Sequence, residues 1–421
     1  MGKPCMSFTY TQGQLDGWKL FAQFYMAPHE TVMLLKGYSG TGKSTLVRML
    51  IEKLPKLDEM RRLVDPSWKG YEVMLTATTN QAALSLAQAA GGSEETTTIH
   101  TRLGLKVVNE DYKRKGATKL VIHRKDKVRN ALIFIDEASY IDQELLRLIF
   151  EQTENCKIVF IGDPAQLTPV GSLYMPAFKL DKNQIELTEL VRFDGGPISQ
   201  MVSDLRDTVL TGNWHKMNLT PGIIDHVDQA TFNNMALQAF KDEKTYGVSK
   251  VLAFHNAAVV GYNNFMSQHL LGTTELQVGQ RVTSNGSATQ GTSRIFNNEE
   301  VLIEEIRPET RHGVAGKDIR LKNKTATWFM PTSRAEAQAA HRRMAAADDY
   351  YAMKEMVEEW VDLRPDYAKT VNKSQGSTYD TVFVDIGDIY KGARTANQLA
   401  RYLYVGNSRC RSRIIMTGDF V

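Results

Sequence analysis

"GYSGTGKST", residues 37–45, decides the fold. The stretch fits G-x-x-x-x-G-K-[ST]. It follows the apolar run "TVMLL" (31–35) and opens "STLVRMLIEKL" (44–54), whose apolar residues recur at helical spacing. Strand, glycine loop and helix in that order make a phosphate-binding loop. Glycines at 37, 40 and 42 let the backbone N–H groups of the loop, including those of Ser39, Thr41, Ser44 and Thr45, wrap an anion at a helix N-terminus. Lys43 would reach the β- and γ-phosphates of ATP, and the Ser44 hydroxyl would ligate Mg²⁺. The bland alternative is a glycine-rich turn, which leaves the lysine and the helix without a task.

Outward from the loop, short apolar runs alternate with helical stretches. "YEVMLTATT" (71–79), "NALIFIDEAS" (130–139) and "CKIVFIGDP" (156–164) each end in Gly, Asp, Thr or Pro, as buried parallel strands do. The alternation predicts a doubly wound α/β domain over the first ~190 residues. A second set follows in "KVLAFHN" (250–256), "YDTVFVDIGD" (379–388) and "SRIIMTGDFV" (412–421), with no appendage expected after it. Between its halves, at 271–369, the character changes. "QVGQRVTSNG" and "NNEEVLIEEIRP" read as short strands of a small β-barrel, and "SRAEAQAAHRRMAAADDYYAMKEMVEEW" (333–360) reads as helix. Its two tyrosines stand at helical spacing with Met353 and Met356, which favours packing against the barrel.

Composition narrows the class. The 421 residues carry a formal net charge of +3, 42% hydrophobic and 24% charged residues, so a sizeable core is expected and nucleic-acid binding must be argued from local patches. Cys5, Cys156 and Cys410 form no CxxC pair, which argues against a zinc site or disulfide scaffold and for a reducing compartment. No apolar run reaches ~18 residues, and the N-terminus has no signal core. The expectation is a cytoplasmic protein with no membrane association.

Two further motifs supply chemistry. "LIFIDEAS" puts Asp136 and Glu137 at the end of a buried strand, where carboxylates are costly without a cation or water. Asp136 suits the Mg²⁺ shell and Glu137 suits activating the attacking water, though an acid pair after a strand is also a common helix N-cap. In "FIGDPAQLTPV", Gln166 could hydrogen-bond the γ-phosphate or the lytic water; alone, "GDPAQ" would be a plain turn.

Together these motifs resemble the superfamily 1 helicases. Their order resembles the 5′-to-3′ class, and within it the Dda-type phage helicases, related to RecD. "TQGQL" resembles the segment whose glutamine reads adenine, which implies Gln14 ahead of Gln12. "LTELVRF" resembles the stretch carrying a γ-phosphate arginine, hence Arg192, and "LYVGNSRCR" resembles the element carrying the second arginine finger, hence Arg409. An isolated "SRCRSR" would more often be a solvated basic loop. "TVNKSQGSTYD" resembles "TFHKAQGMS", which brings Gly376 to the nucleotide and Thr370, Asn372, Lys373 and Gln375 to DNA. "ATTNQAA" and "TTTIHT" resemble the DNA-contact elements, implying Thr78, Thr79, Asn80 and His100; Asn256, in the second domain, is a further DNA-binding candidate. His100 reads equally well as a structural histidine. Thr78 and Asn80 replace the proline and histidine of the family's "APTHAA", and Asn372 replaces the histidine of "TFHKAQG".

"KVVNEDYKRKGATKLVIHRKDKVR" (106–129) lies where the family carries its strand-separating pin. It reads as a basic β-hairpin with Tyr112, Lys113 and Arg114 beside the turn; a solvated surface hairpin is the plain alternative. The resemblance therefore implies two RecA-like P-loop domains. The first is 1–103 and 131–195 with the pin insertion at 104–130; the second is 196–270 and 370–421 with a β-barrel and helical insertion at 271–369. It implies an ATP- and Mg²⁺-dependent 5′-to-3′ translocase and DNA helicase. ATP would lie in the inter-domain cleft. The partners would be single-stranded and forked DNA, with a single-strand-binding protein or replication proteins as further candidates, and the chain would act as a monomer. Two other readings stay open: a translocase that strips proteins from DNA, and an ATP-switched recombination mediator.

Overall fold

The computed structural model describes residues 10–89, 96–109, 118–123, 126–169, 171–180, 183–189 and 195–419. It divides into two compact units: Met1–Lys106, Ile122–Asn218 and Thr395–Ser408; and Val107–Val121, Leu219–Arg394 and Arg409–Val421.

The first unit is built on a six-stranded sheet. Its spatial order is Gln184–Leu187, Val32–Gly37, Lys157–Gly162, Ala131–Asp136, Glu72–Ala77 and Thr97–Thr98. Every pair in it is parallel. Its central strands are buried on both faces, which is why "ALIFI" and "KIVFIG" read as continuous apolar runs. One core joins Phe21, Phe24 and Tyr25 of helix Gln12–Met26, Leu46, Leu50 and Leu54 of helix Lys43–Val64, and sheet residues such as Leu35, Phe134 and Ile161. Lys157 is buried in this sheet, and its ammonium is satisfied by the carbonyls of Phe24, Ala27 and Glu30 at 2.6–2.8 Å.

Two stretches expected in the second domain, 196–218 and 395–408, group with the first unit. Helix Pro197–Thr211 packs against helix Ala396–Asn407, and Asn397 Nδ2 donates to the Val209 carbonyl at 2.9 Å. The hairpin strands Leu105–Asn109 and Thr118–Ile122 pair in a two-stranded sheet of their own. Tyr112, Lys113 and Arg114 lie outside the described residues, as does Arg192.

The second unit contains a five-stranded parallel sheet in the order Ile224–His226, Cys410–Thr417, Tyr379–Asp385, Ser249–Ala253, Ala368–Thr370. Between its strands the chain makes the expected antiparallel insertion, in the order Thr327–Pro331, Val314–Leu321, Glu300–Arg311, Arg281–Ser284, Leu363–Pro365. Trp328, Val282, Ile303 and Ile319 form its core, with Ala288 and Ile295 contributed by a separate two-stranded ribbon. The helical excursion is two helices, Arg334–Ala346 and Tyr350–Glu358, where the sequence suggested one. They are separated at Asp348, whose φ of 53° no helix interior accommodates. Ala352, Met353 and Met356 turn inward, whereas Tyr350 and Tyr351 are exposed, so the expected packing of the tyrosines is corrected. Among the described residues no helix is long and apolar enough to cross a membrane.

Candidate nucleotide site and nucleic-acid face

The phosphate loop takes the shape its glycines permit. Gly40 and Gly42 have φ of 86° and 80°, a region that penalises any Cβ. A Cβ at Gly37 would stand 2.7 Å from Thr41 Oγ1 and 3.1 Å from both Leu187 Cβ and Lys43 Cγ. Thr41 Oγ1 donates to the Tyr38 carbonyl at 2.9 Å, closing the loop. Lys43 Nζ donates to the carbonyls of Gly37 (2.7 Å) and Tyr38 (3.0 Å), which hold the ammonium over the loop. Helix Lys43–Val64 begins with Gly42 as N-cap and so has no side-chain cap, leaving its first-turn N–H groups to an anion. Ser44 is exposed in that first turn and Thr45 is half-buried.

The acids stand in the same unit. Register pairs Ala77 with Asp136, and Thr78 N–H donates to the Asp136 carbonyl at 3.2 Å. Burial pushes the Asp136 carboxyl up, the Lys43 ammonium opposes this, and Oδ1 accepts the Glu137 N–H at 2.8 Å. A carboxylate and a serine hydroxyl are oxygen donors of the kind a hard divalent cation takes while keeping most of its waters. Glu137 sits at φ 53°, and Thr78 Oγ1 donates to its carbonyl at 3.1 Å. Gln166 is buried, and Ser139 Oγ donates to its Oε1 at 3.2 Å.

Gln14 adjoins the loop, but its amide is engaged. Oε1 accepts the Thr11 N–H (3.0 Å) in a capping box, and Nε2 donates to the Gly42 carbonyl (3.2 Å). A buried glutamine therefore ties helix Gln12–Met26 to the phosphate loop.

The predicted nucleic-acid residues fall in two groups. In the first unit, Thr98 Oγ1 caps the short helix Ile99–Arg102 and Thr79 Oγ1 accepts the Ala82 N–H. Asn80 is half-buried at the start of its helix. His100 has its imidazolium form disfavoured by burial, with Asp142 pulling the other way. In the second unit, Thr370 repeats the arrangement at the end of Ala368–Thr370, capping helix Val371–Ser374. Asn372 and Gly376 are half-buried, and Gln375 is buried. Asn256, Thr370 and Lys373 line one slot together with Thr283, Asn285 and Arg364. Lys373 Nζ bonds Asn285 Oδ1, and burial, with Arg364 adding to it, lowers the ammonium's pKa. Arg409 is buried at the head of the last strand, its carbonyl accepting the Tyr379 N–H at 2.8 Å.

Comparison with known proteins agrees with this layout. A model of an AAA domain matches residues 13–218, and one of the UvrD-like helicase C-terminal domain matches residues 366–417. The ATP-dependent DNA helicase dda of Enterobacteria phage T4 is 26% identical over 278 residues, 62% of this chain and 58% of that protein. The uncharacterized protein R530 of Acanthamoeba polyphaga mimivirus is 21% identical over an alignment of 506 residues, spanning 96% of this chain and 98% of that one. A solved structure of Pif1 helicases unwinding forked double-stranded DNA is 18% identical, covers 98% of this chain and 93% of that chain, and has a TM-score of 0.51, which is a likeness of fold. In both matched regions the chain resembles the superfamily 1 helicases.

The sequence passed over several residues that the structure brings to these two regions. Asn285 and Arg364 come from the antiparallel insertion and were hidden because their own segments read as plain strand and turn. Arg206, on helix Pro197–Thr211, stacks its guanidinium 3.6 Å from the Tyr38 ring centre, and Tyr38 Oη donates to Glu186 at 2.9 Å. No periodicity announces such a contact, since its partners are 168 residues apart in sequence (206 less 38).

Proposed function

We propose that this chain is an ATP-dependent DNA helicase that translocates 5′-to-3′ along single-stranded DNA and splits duplex at its hairpin. The observation that carries this is the glycine loop with Lys43 held over it by the Gly37 carbonyl and with the buried Asp136 carboxyl in the field of that ammonium. The relation to the phage T4 DNA helicase supports DNA as the polymer.

Lys43 exchanges its loop carbonyls for the β- and γ-phosphates of ATP. Ser44 and Asp136 would hold Mg²⁺, which when bound neutralises phosphate charge. Glu137 orients the attacking water and accepts its proton, and Gln166 hydrogen-bonds the γ-phosphate or that water. Arg192 and Arg409 bring guanidinium charge to the γ-phosphate; arginine suits this because it stays ionised and presents paired donors. In related phosphoryl-transfer enzymes such a finger contributes ~10³–10⁵ in rate. The slot of Asn256, Thr370 and Lys373, with Asn285 and Arg364, offers amides, a hydroxyl and cations to a phosphate backbone, the sequence-independent part of nucleic-acid binding. The chain acts as a monomer in this reading.

The test is steady-state ATP hydrolysis with and without an oligo-dT single strand. Hydrolysis should rise severalfold with DNA and fall to background in Lys43→Ala. Equal hydrolysis with and without DNA would remove the motor reading.

A further inference from the structure

Helix Ala396–Asn407 carries Arg401 and Tyr404 three residues apart, hence on one face. Both grip the loop that holds Gln166. Arg401 Nη1 donates to the carbonyls of Pro164 (2.9 Å) and Gln166 (2.5 Å), and Nε donates to Asn397 Oδ1 (2.8 Å). Tyr404 is fully buried. Its hydroxyl donates to Asp163 Oδ2 at 2.6 Å and accepts the Ser39 N–H of the phosphate loop at 3.4 Å. Asp163 is buried too, and its Oδ1 accepts the Ala165 N–H at 2.8 Å.

A phenylalanine at 404 would fill the same space. The hydroxyl bonds both loops, and burying a hydroxyl against a carboxylate is costly unless the bond between them is made. The contacts run on from Asp163 through the backbone to Gln166, and from Gln166 Oε1 to Ser139, two residues after Glu137. Ser39 lies in the phosphate loop and gives its N–H to Tyr404, so Tyr404 sits where the phosphate loop and the Gln166 loop must keep register.

We propose that Tyr404 is a positioning residue for ATP hydrolysis: its hydroxyl braces the 163–166 loop against the phosphate loop, and Arg401 fixes the same loop through its carbonyls. The proposal rests on the ATPase reading above. Tyr404 touches neither phosphate nor water in this scheme; it sets where Gln166 stands when they bind. It also precedes Arg409 by five residues, so the brace and the expected finger belong to one short stretch of chain.

The experiment compares wild type, Tyr404→Phe, Asp163→Asn and the double variant by ATP hydrolysis at saturating single-stranded DNA, ADP titration and thermal melting. Removing one charge-assisted hydrogen bond should lower kcat about tenfold. KM and ADP affinity should stay within about twofold, because binding of the ground state is left alone. The double variant should be no slower than the slower single, as expected of groups acting through one bond. Arg401→Gln, which breaks the other half of the grip, should give the same kcat-only signature. An unchanged kcat in folded Tyr404→Phe overturns the proposal, and so do losses that multiply in the double variant. A wild-type chain with no ATPase activity overturns the parent reading and this one together; an active wild type with an unaffected Tyr404→Phe overturns this one alone.

Discussion

Asp366 is enclosed between two ammonium groups. Lys250 Nζ donates to its Oδ2 at 2.7 Å, Lys369 Nζ stands 3.2 Å from Oδ1, and Thr283 Oγ1 donates to Oδ1 at 2.5 Å. Burial pushes this carboxyl up, but Lys250, then Lys369, more than reverse the shift and hold it at about 2. A carboxyl depressed in the fold stabilises it above the ordinary carboxylate range and loses that contribution as pH falls toward the folded value. Urea unfolding followed across pH should therefore show stability draining between roughly pH 4 and pH 2. Asp366→Asn should cost about 3–5 kcal/mol at neutral pH, since it takes the carboxylate from buried Lys250 and leaves buried Lys369 with Glu300 alone, and should flatten the profile below pH 4. An unchanged profile would refute the assignment. At this scale the sequence was most legible where chemistry forces a residue type, as at Gly37, Lys43 and Asp136. It was least legible where a residue's partner lies far along the chain. Tyr404 looks like core inside "RYLYVG", and Gln14 could not be seen spending its amide on Thr11 and Gly42.

At the scale of elements, the hairpin carries the most consequential expectation. Its strands Leu105–Asn109 and Thr118–Ile122 pair with each other, and Lys106 and Lys119 are exposed on them. An aromatic at such a tip can replace the stacking lost by the last base pair, a contribution of ~1–3 kcal/mol per base. Tyr112→Ala should slow duplex unwinding while leaving DNA-stimulated ATP hydrolysis intact, read by paired unwinding and phosphate-release assays. Equal loss of both would show that the residue serves the fold or the strand grip instead. Strands were easy to read here because buried parallel strands are continuous apolar runs. Helix ends were harder: one Ala-rich stretch held two helices, and only the left-handed Asp348 reveals the break. The threonines of "TTTIH" and "AKTVN" share another element-level logic. Each ends an edge strand and caps a one-turn helix, so these hydroxyls serve local N–H groups first.

Across the whole molecule, two parallel sheets, each interrupted by an insertion, were foreseen from the alternation of apolar runs and helical stretches. The allocation of helices was not. Helices Pro197–Thr211 and Ala396–Asn407 group with the first unit because they pack on each other and because Arg401 and Tyr404 reach the 163–166 loop. Such pairing depends on contacts nearly 200 residues apart, which local pattern does not encode. It also gives the ATPase reading more structure than the motifs alone, since the stretch leading to Arg409 is tied to the loop of Gln166. In the function proposed above, ATP turnover drives strand separation in one direction. The most direct measurement is ATP-dependent unwinding of one duplex bearing either a 5′ or a 3′ single-stranded tail. The 5′-tailed substrate should be unwound and the 3′-tailed one hardly at all. Unwinding from the 3′ tail alone, or DNA-stimulated hydrolysis with neither duplex opened, would contradict that function.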